Sequence, residues 1–176
     1  MTIKKQMSCN ETRVVQTHRV LPSELNGHQT LFGGNLMSLI DNTASMSVAK
    51  FARSNALVTA SMDELHFLHP IKASHAVSVE TYVTGSGRRS IEVFAKVLGE
   101  DLETGETYIG ATSFLTFVLV GSFESDQSLL PDLICESEEE QKVCRDYTER
   151  RKKRLADKKL NEDLIKGLTL TPPWMS

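Results

Sequence analysis

What this 176-residue chain has little of narrows the field first. Cysteine occurs three times, at Cys9, Cys135 and Cys144. An odd, sparse set without metal-type spacing argues against a disulfide framework and for a reducing compartment. No stretch approaches the roughly 20 apolar residues of a membrane-spanning helix. The opening residues Met1-Thr2-Ile3-Lys4-Lys5-Gln6 carry lysines with no apolar run behind them, so no secretory signal is read there. Charge of one sign is also missing. Twenty Lys and Arg stand against 23 Asp and Glu, a net charge of -3, which favours neither nucleic acid nor an anionic membrane. The five histidines show no ligand spacing and there is no HExxH motif, so neither metal nor cofactor is expected. A cytoplasmic protein without membrane insertion is the expectation. At 40% hydrophobic and 24% charged residues, the composition is that of a globular domain with a core of its own.

The elements read in a simple order. Residues 1–11 form a polar, loose arm, and residues 12–20 a first strand. A loop over 21–30, rich in Pro, Gly and polar side chains, leads to Gly33-Gly34 and a helix ending near Arg53. Four strands follow, at 57–67, 75–84, 90–98 and 108–120. The second and third show alternation of the kind Val77-x-Val79-x-Thr81-x-Val83. Short Gly-containing turns make the last three an antiparallel meander. One apolar helix and five strands bury each other if the sheet curls around the helix, an α+β arrangement. Its edge strands stay open and invite dimerisation. Residues 12–121 are therefore the folded domain, 122–134 a linker and 135–176 a helical extension. In that extension acids (Glu136, Glu138, Glu139, Glu140) precede bases (Arg150 to Arg154) along a helix over 136–167.

Asp41 stands out. Between Gly33 and Phe51 only Asp41 and Lys50 are charged, and helical spacing puts Asp41 on a stripe with Met37, Ala44, Ser45 and Val48. A carboxylate dehydrated on such a stripe is paired, neutralised or catalytic. The Gly33-Gly34 helix start offers backbone N–H groups of the kind an oxyanion or polarised carbonyl needs. Asn26, just upstream, adds a side-chain donor. Asp41 lies about 10 Å along the helix axis from Gly34, so one substrate atom meets both more easily if they come from two subunits. A turn glycine, a loop asparagine and a satisfied structural acid are the plain alternatives. Thr59 and Ser61, on the next strand, are placed to hydrogen-bond a water beside Asp41.

Gly87-Arg88-Arg89-Ser90 is either a phosphate grip or a charged hairpin turn. His28, in the loop before the helix, is a reserve base.

These blocks resemble a known family. Pro22-Ser23-Glu24-Leu25-Asn26, Thr30-Leu31-Phe32-Gly33-Gly34 and Ile40-Asp41 are similar to the loop and central helix of the hotdog-fold acyl-CoA thioesterases. The match is nearest to the bacterial cytosolic hydrolases related to the mammalian brain-type enzymes. Asp63-Glu64-Leu65-His66-Phe67, Gly87-Arg88-Arg89-Ser90 and Thr116-Phe117-Val118 continue the pattern. The resemblance implies a five-stranded antiparallel sheet wrapped around one long helix. It also implies dimers with a continuous ten-stranded sheet, commonly assembled as trimers into hexamers. It assigns the catalytic acid to Asp41 and the catalytic asparagine to Asn26, from opposite subunits, and coenzyme A binding to Gly87, Arg88, Arg89 and Ser90. Hydrolysis of acyl-CoA to acid and coenzyme A follows, with Gly34, helped by Gly33 and Asn26, polarising the carbonyl and Thr59 beside the acid. A hotdog hydratase or dehydratase using His28, and a non-catalytic acyl-CoA sensor, are the rival readings. Many relatives carry Gly where this chain has Gln29.

Overall fold

The computed structural model describes residues 5–121 and 130–175. Two compact units divide the chain, Met1–Cys144 and Arg145–Ser176.

In the first unit, the alternating apolar residues of the sequence become five antiparallel strands: β2 (Val14–Arg19), β3 (Leu57–Phe67), β4 (Ala76–Ser86), β5 (Ser90–Glu100) and β6 (Thr107–Leu119). Their order across the sheet is β2-β4-β5-β6-β3, so β2 and β3 are its edges. Helix α2 (Gly33–Ala52) lies against all five strands. Its buried residues Leu36, Ile40, Thr43, Ala44, Ser47, Val48 and Phe51 follow the three-and-four spacing of one helix face. They meet Val77, Val79, Val83, Val93, Val97, Leu115 and Phe117 from the sheet. Among the few polar groups inside, Ser47 and Thr81 share a hydrogen bond at 2.8 Å, and Thr43 donates to Gln16 at 2.8 Å. The helix stops at Arg53, whose left-handed backbone (φ 51°) ends the spiral. The α+β expectation of a five-stranded sheet around one long helix holds.

Three expectations need correcting. The N-terminal arm is not loose where the structure describes it. β1 (Gln6–Ser8) pairs in parallel with β7 (Asp132–Ile134), and the short helix α1 (Cys9–Thr12) follows, closed by a capping box between Ser8 and Glu11. Met7 and Cys9 are buried. The first strand therefore starts at Val14 rather than at residue 12. The linker expected over 122–134 contains β7 and Leu130 packed on the core; residues 122–129 of it lie outside the described residues. Finally, the single helix expected over 136–167 is two, α3 (Glu138–Arg145) and α4 (Tyr147–Lys166), separated at Asp146. A charge gradient shows where helix is favoured but not where one helix ends and the next begins.

α3 is tied down by Glu140, which is 2% exposed. Burial pushes its carboxyl up, but the backbone N–H groups of Ser137 and Glu136 and the Arg13 guanidinium more than offset this and hold it below the usual carboxylate range. In the second unit, α4 buries none of its residues. No described helix is long and apolar enough to cross a membrane.

Met7→Ala separates a docked arm from a loose one. Its side chain is 2% exposed in the core, so truncation should lower unfolding free energy by about 2–5 kcal/mol in urea titrations. A change within about 0.5 kcal/mol, the usual cost of a surface substitution, would mean the arm is not docked.

Candidate active site

The loop leading to α2 folds on its own side chains. Glu24 accepts from the Leu21 N–H at 2.8 Å, while its carbonyl takes the Phe32 N–H at 2.8 Å. Asn26 closes the next turn. Its Oδ1 accepts from the N–H groups of His28 (2.8 Å) and Thr30 (3.2 Å), and its Nδ2 donates to Thr30 Oγ1 at 2.9 Å. The asparagine is thus the knot of an Asx-type turn, the plain reading of a loop asparagine. It also lines a cavity of about 370 Å³, together with Leu31, Gly33, Leu36, Phe67 and Ile71. Of the two glycines, Gly33 lines this cavity and Gly34 does not. Phe32, the residue before the helix, provides no capping side chain, so the first-turn N–H groups are left for another acceptor. A Cβ on Gly34 would come within 2.5 Å of the exposed Phe32 ring, which would have to turn aside.

Asp41 sits two turns further on. It is half-buried at the rim of the helix's buried face, where Ala44 and Val48 are core residues but Met37 is 40% exposed. The dehydrated stripe expected from the sequence is therefore only half present in one subunit. Rotation by about 100° per residue places Asp41 beside the face that Ile40 anchors rather than on it. Thr59 donates its hydroxyl to Asp41 Oδ1 at 2.7 Å. Thr59 reaches across because the β3–β6 register shifts just after it, between Thr59 and Ser61, a bulge of the kind that re-aims side chains. Ser61, expected beside it, instead donates to Asp63 at 3.2 Å.

Asp41 and Thr59 do not line the cavity that holds Asn26 and Gly33, so one subunit does not bring the two halves of the constellation together. β3, which carries Thr59, is an open edge with Val58 48% and Phe67 57% exposed. Unpaired backbone and apolar side chains on a long edge strand are features of an interface.

In the β4–β5 turn the two arginines part ways. Arg89 donates to the Leu119 carbonyl from Nε (3.1 Å) and a terminal nitrogen (2.8 Å), and to the Gly121 carbonyl at 3.1 Å. It holds the end of β6, and Arg89 itself remains exposed. Arg88 is exposed, and Gly87 and Ser90 close the turn through a 2.8 Å backbone bond. His28 is exposed and contributes only its backbone N–H to Asn26.

Two features escaped the sequence reading. The cavity wall from Phe67 to Ile71 includes His69, whose Nδ1 lies 2.9 Å from the Ile109 carbonyl, and only the Pro70 break hinted at this wall. The three cysteines, dispersed in the chain, have sulfur atoms within 4.8 Å of one another.

The family description "Thioesterase superfamily" matches residues 28–106. The chain is 44% identical over 166 residues to YkhA of Bacillus subtilis, an uncharacterised acyl-CoA thioester hydrolase, covering 94% of this chain and 95% of that one. Among solved structures it is similar to an acyl-CoA hydrolase from Bacillus cereus, with a TM-score of 0.87, 43% identity and coverage of 94% and 100%. A Staphylococcus aureus acyl-CoA hydrolase, solved with butyryl coenzyme A, coenzyme A and coenzyme A disulfide, matches with a TM-score of 0.82, 29% identity and coverage of 92% and 97%. Solved variants of a Staphylococcus aureus hydrolase replace one aspartate, one threonine and one asparagine by alanine. A hexameric acyl-CoA thioesterase matches with a TM-score of 0.77, 34% identity and coverage of 86% and 98%.

Gln29 adopts a left-handed backbone (φ 61°), a conformation natural to glycine and costly for a residue with a Cβ. Gln29→Gly should therefore raise thermal stability, by about 0.5–1 kcal/mol once the extra freedom of glycine in the unfolded chain is subtracted. Gln29→Val should lower it, and calorimetry of the pair checks both signs.

Proposed function

This chain belongs to the thioesterase superfamily, among its acyl-CoA hydrolases, and from that premise we propose that it cleaves acyl-CoA thioesters with Asp41 as the reacting carboxylate and a second subunit completing the site. Water and the thioester give a carboxylic acid and coenzyme A. The observation that carries this reading is the Thr59–Asp41 hydrogen bond of 2.7 Å at the open rim of α2. It orients the carboxylate by one oxygen and leaves Oδ2 for water or substrate.

The carbonyl-polarising donors are the N–H groups at the start of α2, with Gly34 as the principal donor and Gly33 and Asn26 beside it. The positive end of the helix dipole adds to their field. Within one subunit these donors stand about 10 Å along the axis from Asp41, too far to share a carbonyl. A dimer joined along the open β3 edge supplies the missing half and covers Val58, Phe67 and Met37. The protein acts as a homo-oligomer, and the hexamer known for a similar thioesterase makes a trimer of such dimers our reading. The aspartate, threonine and asparagine replaced in the Staphylococcus aureus variants are the residue types of Asp41, Thr59 and Asn26, which supports the same grouping.

Asp41 either removes a proton from the attacking water or attacks the carbonyl itself to give a mixed anhydride. Single turnover in H₂¹⁸O tests for the anhydride: water attacking its Asp41 carbonyl leaves label in the Asp41 carboxylate, which the general-base route never does. Arg88, with Gly87 and Ser90 in the same turn, meets the phosphates of coenzyme A, far from the bond that breaks. Coenzyme A enters as part of the substrate, with no separate cofactor in this chemistry. The compartment we assign is the cytoplasm.

Thiol release from acyl-CoAs of graded chain length tests the assignment. Asp41→Asn should stay folded and lose about 10²–10⁴ in kcat, the range of general acid–base catalysis. Asn26→Ala should lose most turnover as well, because both the donor and the turn it ties are gone. Thr59→Ala removes one hydrogen bond worth about 1 kcal/mol and should cost about fivefold. Full activity in Asp41→Asn would remove it from the reaction.

Arg88→Ala should raise KM more than it lowers kcat, because binding distant from the reacting carbonyl is uniform between ground and transition states. Steady-state kinetics showing the reverse pattern would place Arg88 away from coenzyme A.

A further inference from the structure

On the sheet face turned away from α2, a row of aromatic rings runs across three strands: Tyr82 of β4, Phe94 of β5 and Phe114 of β6. Over it lie Leu133, Val143 and the three cysteines. Cys9 opens α1, Cys135 follows β7, and Cys144 sits in the last turn of α3. Cys9 Sγ is 3.7 Å from Cys135 Sγ and 3.8 Å from Cys144 Sγ, contacts that span 126 and 135 residues of chain. All three sulfurs fall within 4.8 Å of one another.

These separations discriminate between two kinds of cysteine chemistry. A disulfide needs its sulfurs at about 2.05 Å, close to half the distance found. Thiolates on one tetrahedral zinc, each about 2.3 Å from the metal, stand about 3.8 Å apart. Two edges of the triangle have that length. We propose that Cys9, Cys135 and Cys144 form a binding site for a single thiophilic divalent cation of the zinc type, on the sheet face opposite α2. Three thiols release their protons to solvent, the cation takes three thiolates, and a water fills the fourth position. The cluster then carries one net negative charge, with the Arg13 guanidinium stacked on the adjoining Tyr82 ring, 4.5 Å from its centre.

The surroundings fit this chemistry. Cys9 is buried, while Cys135 and Cys144 are half-buried, so the sulfurs are shielded yet a metal has a way in. Packed together without a cation, Cys9 and Cys135 hold their protons. The Cys144 sulfur and burial push Cys9 far above the usual thiol range, and burial raises Cys135 to about 11. A divalent ion reverses that balance by neutralising the thiolates. The consequence is mechanical. One ion would join α1, the residue after β7 and α3, stapling the two ends of the first unit over its outer sheet face.

Cobalt(II) is the probe, added to the full-length protein purified with reductant and stripped by chelator. The expected result is one Co²⁺ per chain, with the near-ultraviolet thiolate-to-cobalt band, displaced by Zn²⁺. Cys135→Ser and Cys144→Ser should each abolish that band while keeping acyl-CoA hydrolysis, which shows that they fold. Zn²⁺ should raise the Tm of wild type and not of either variant. The proposal is overturned if the reduced protein shows no such band, or if the band persists in both variants. A disulfide between any two of the three in protein isolated without reductant would also overturn it.

Discussion

The rotational setting of α2 is the constraint on which the rest of the structure depends. Ile40, Ala44 and Val48 are completely buried against the sheet, and with them in place every other side chain of the helix has a determined direction. Asp41 follows Ile40 by one step of about 100°, which brings its carboxylate out of the core but no further than the rim. There it remains close enough to β3 to take the Thr59 hydroxyl. A helix turned one step the other way would bury the charge among Val and Leu side chains without a partner. Such a charge is expensive enough that the group would neutralise instead.

Around this helix, several polar side chains hold backbone. Asn26 ties a turn of five residues, the Glu24 carboxylate takes the Leu21 N–H, and Arg89 clamps the end of β6. Loops fixed in this way keep the helix start and the β4–β5 turn in place. Rigidity of this kind matters for thioester cleavage because the donors have to be in place before charge develops on the carbonyl oxygen. Roles assigned by residue type alone divide accordingly: Arg88 and Arg89 look equivalent in sequence, yet only Arg88 is not engaged with the Leu119 and Gly121 carbonyls.

The second layer, on the far side of the sheet, has a different origin. β1 and β7 come from opposite ends of the first unit and pair in parallel, which forces α1 and α3 together over Tyr82, Phe94 and Phe114. Arg13 links them through Glu80 and Glu140. The layer covers apolar surface that a bare five-stranded sheet would expose.

Much of this was legible in the sequence. Alternation of Val and Ile with polar residues specifies strands, and a three-and-four spacing of small and apolar residues specifies the helix that fills the sheet, because both patterns are local and repeat along the chain. Asp41 was conspicuous for the same reason: a lone charge interrupts a local pattern. Contacts between distant segments leave no such trace. That β1 pairs with β7, that Asp41 lies at a rim rather than inside, and that Cys9, Cys135 and Cys144 meet were all decided by tertiary packing. The sequence by itself determined the five long strands and the central helix and made Asp41 conspicuous; only the folded chain decided the short β1, β7, α1 and α3 elements and which side chains face one another. The physical reason is that secondary structure answers to neighbours a few residues away, whereas proximity across the fold depends on how whole faces bury each other.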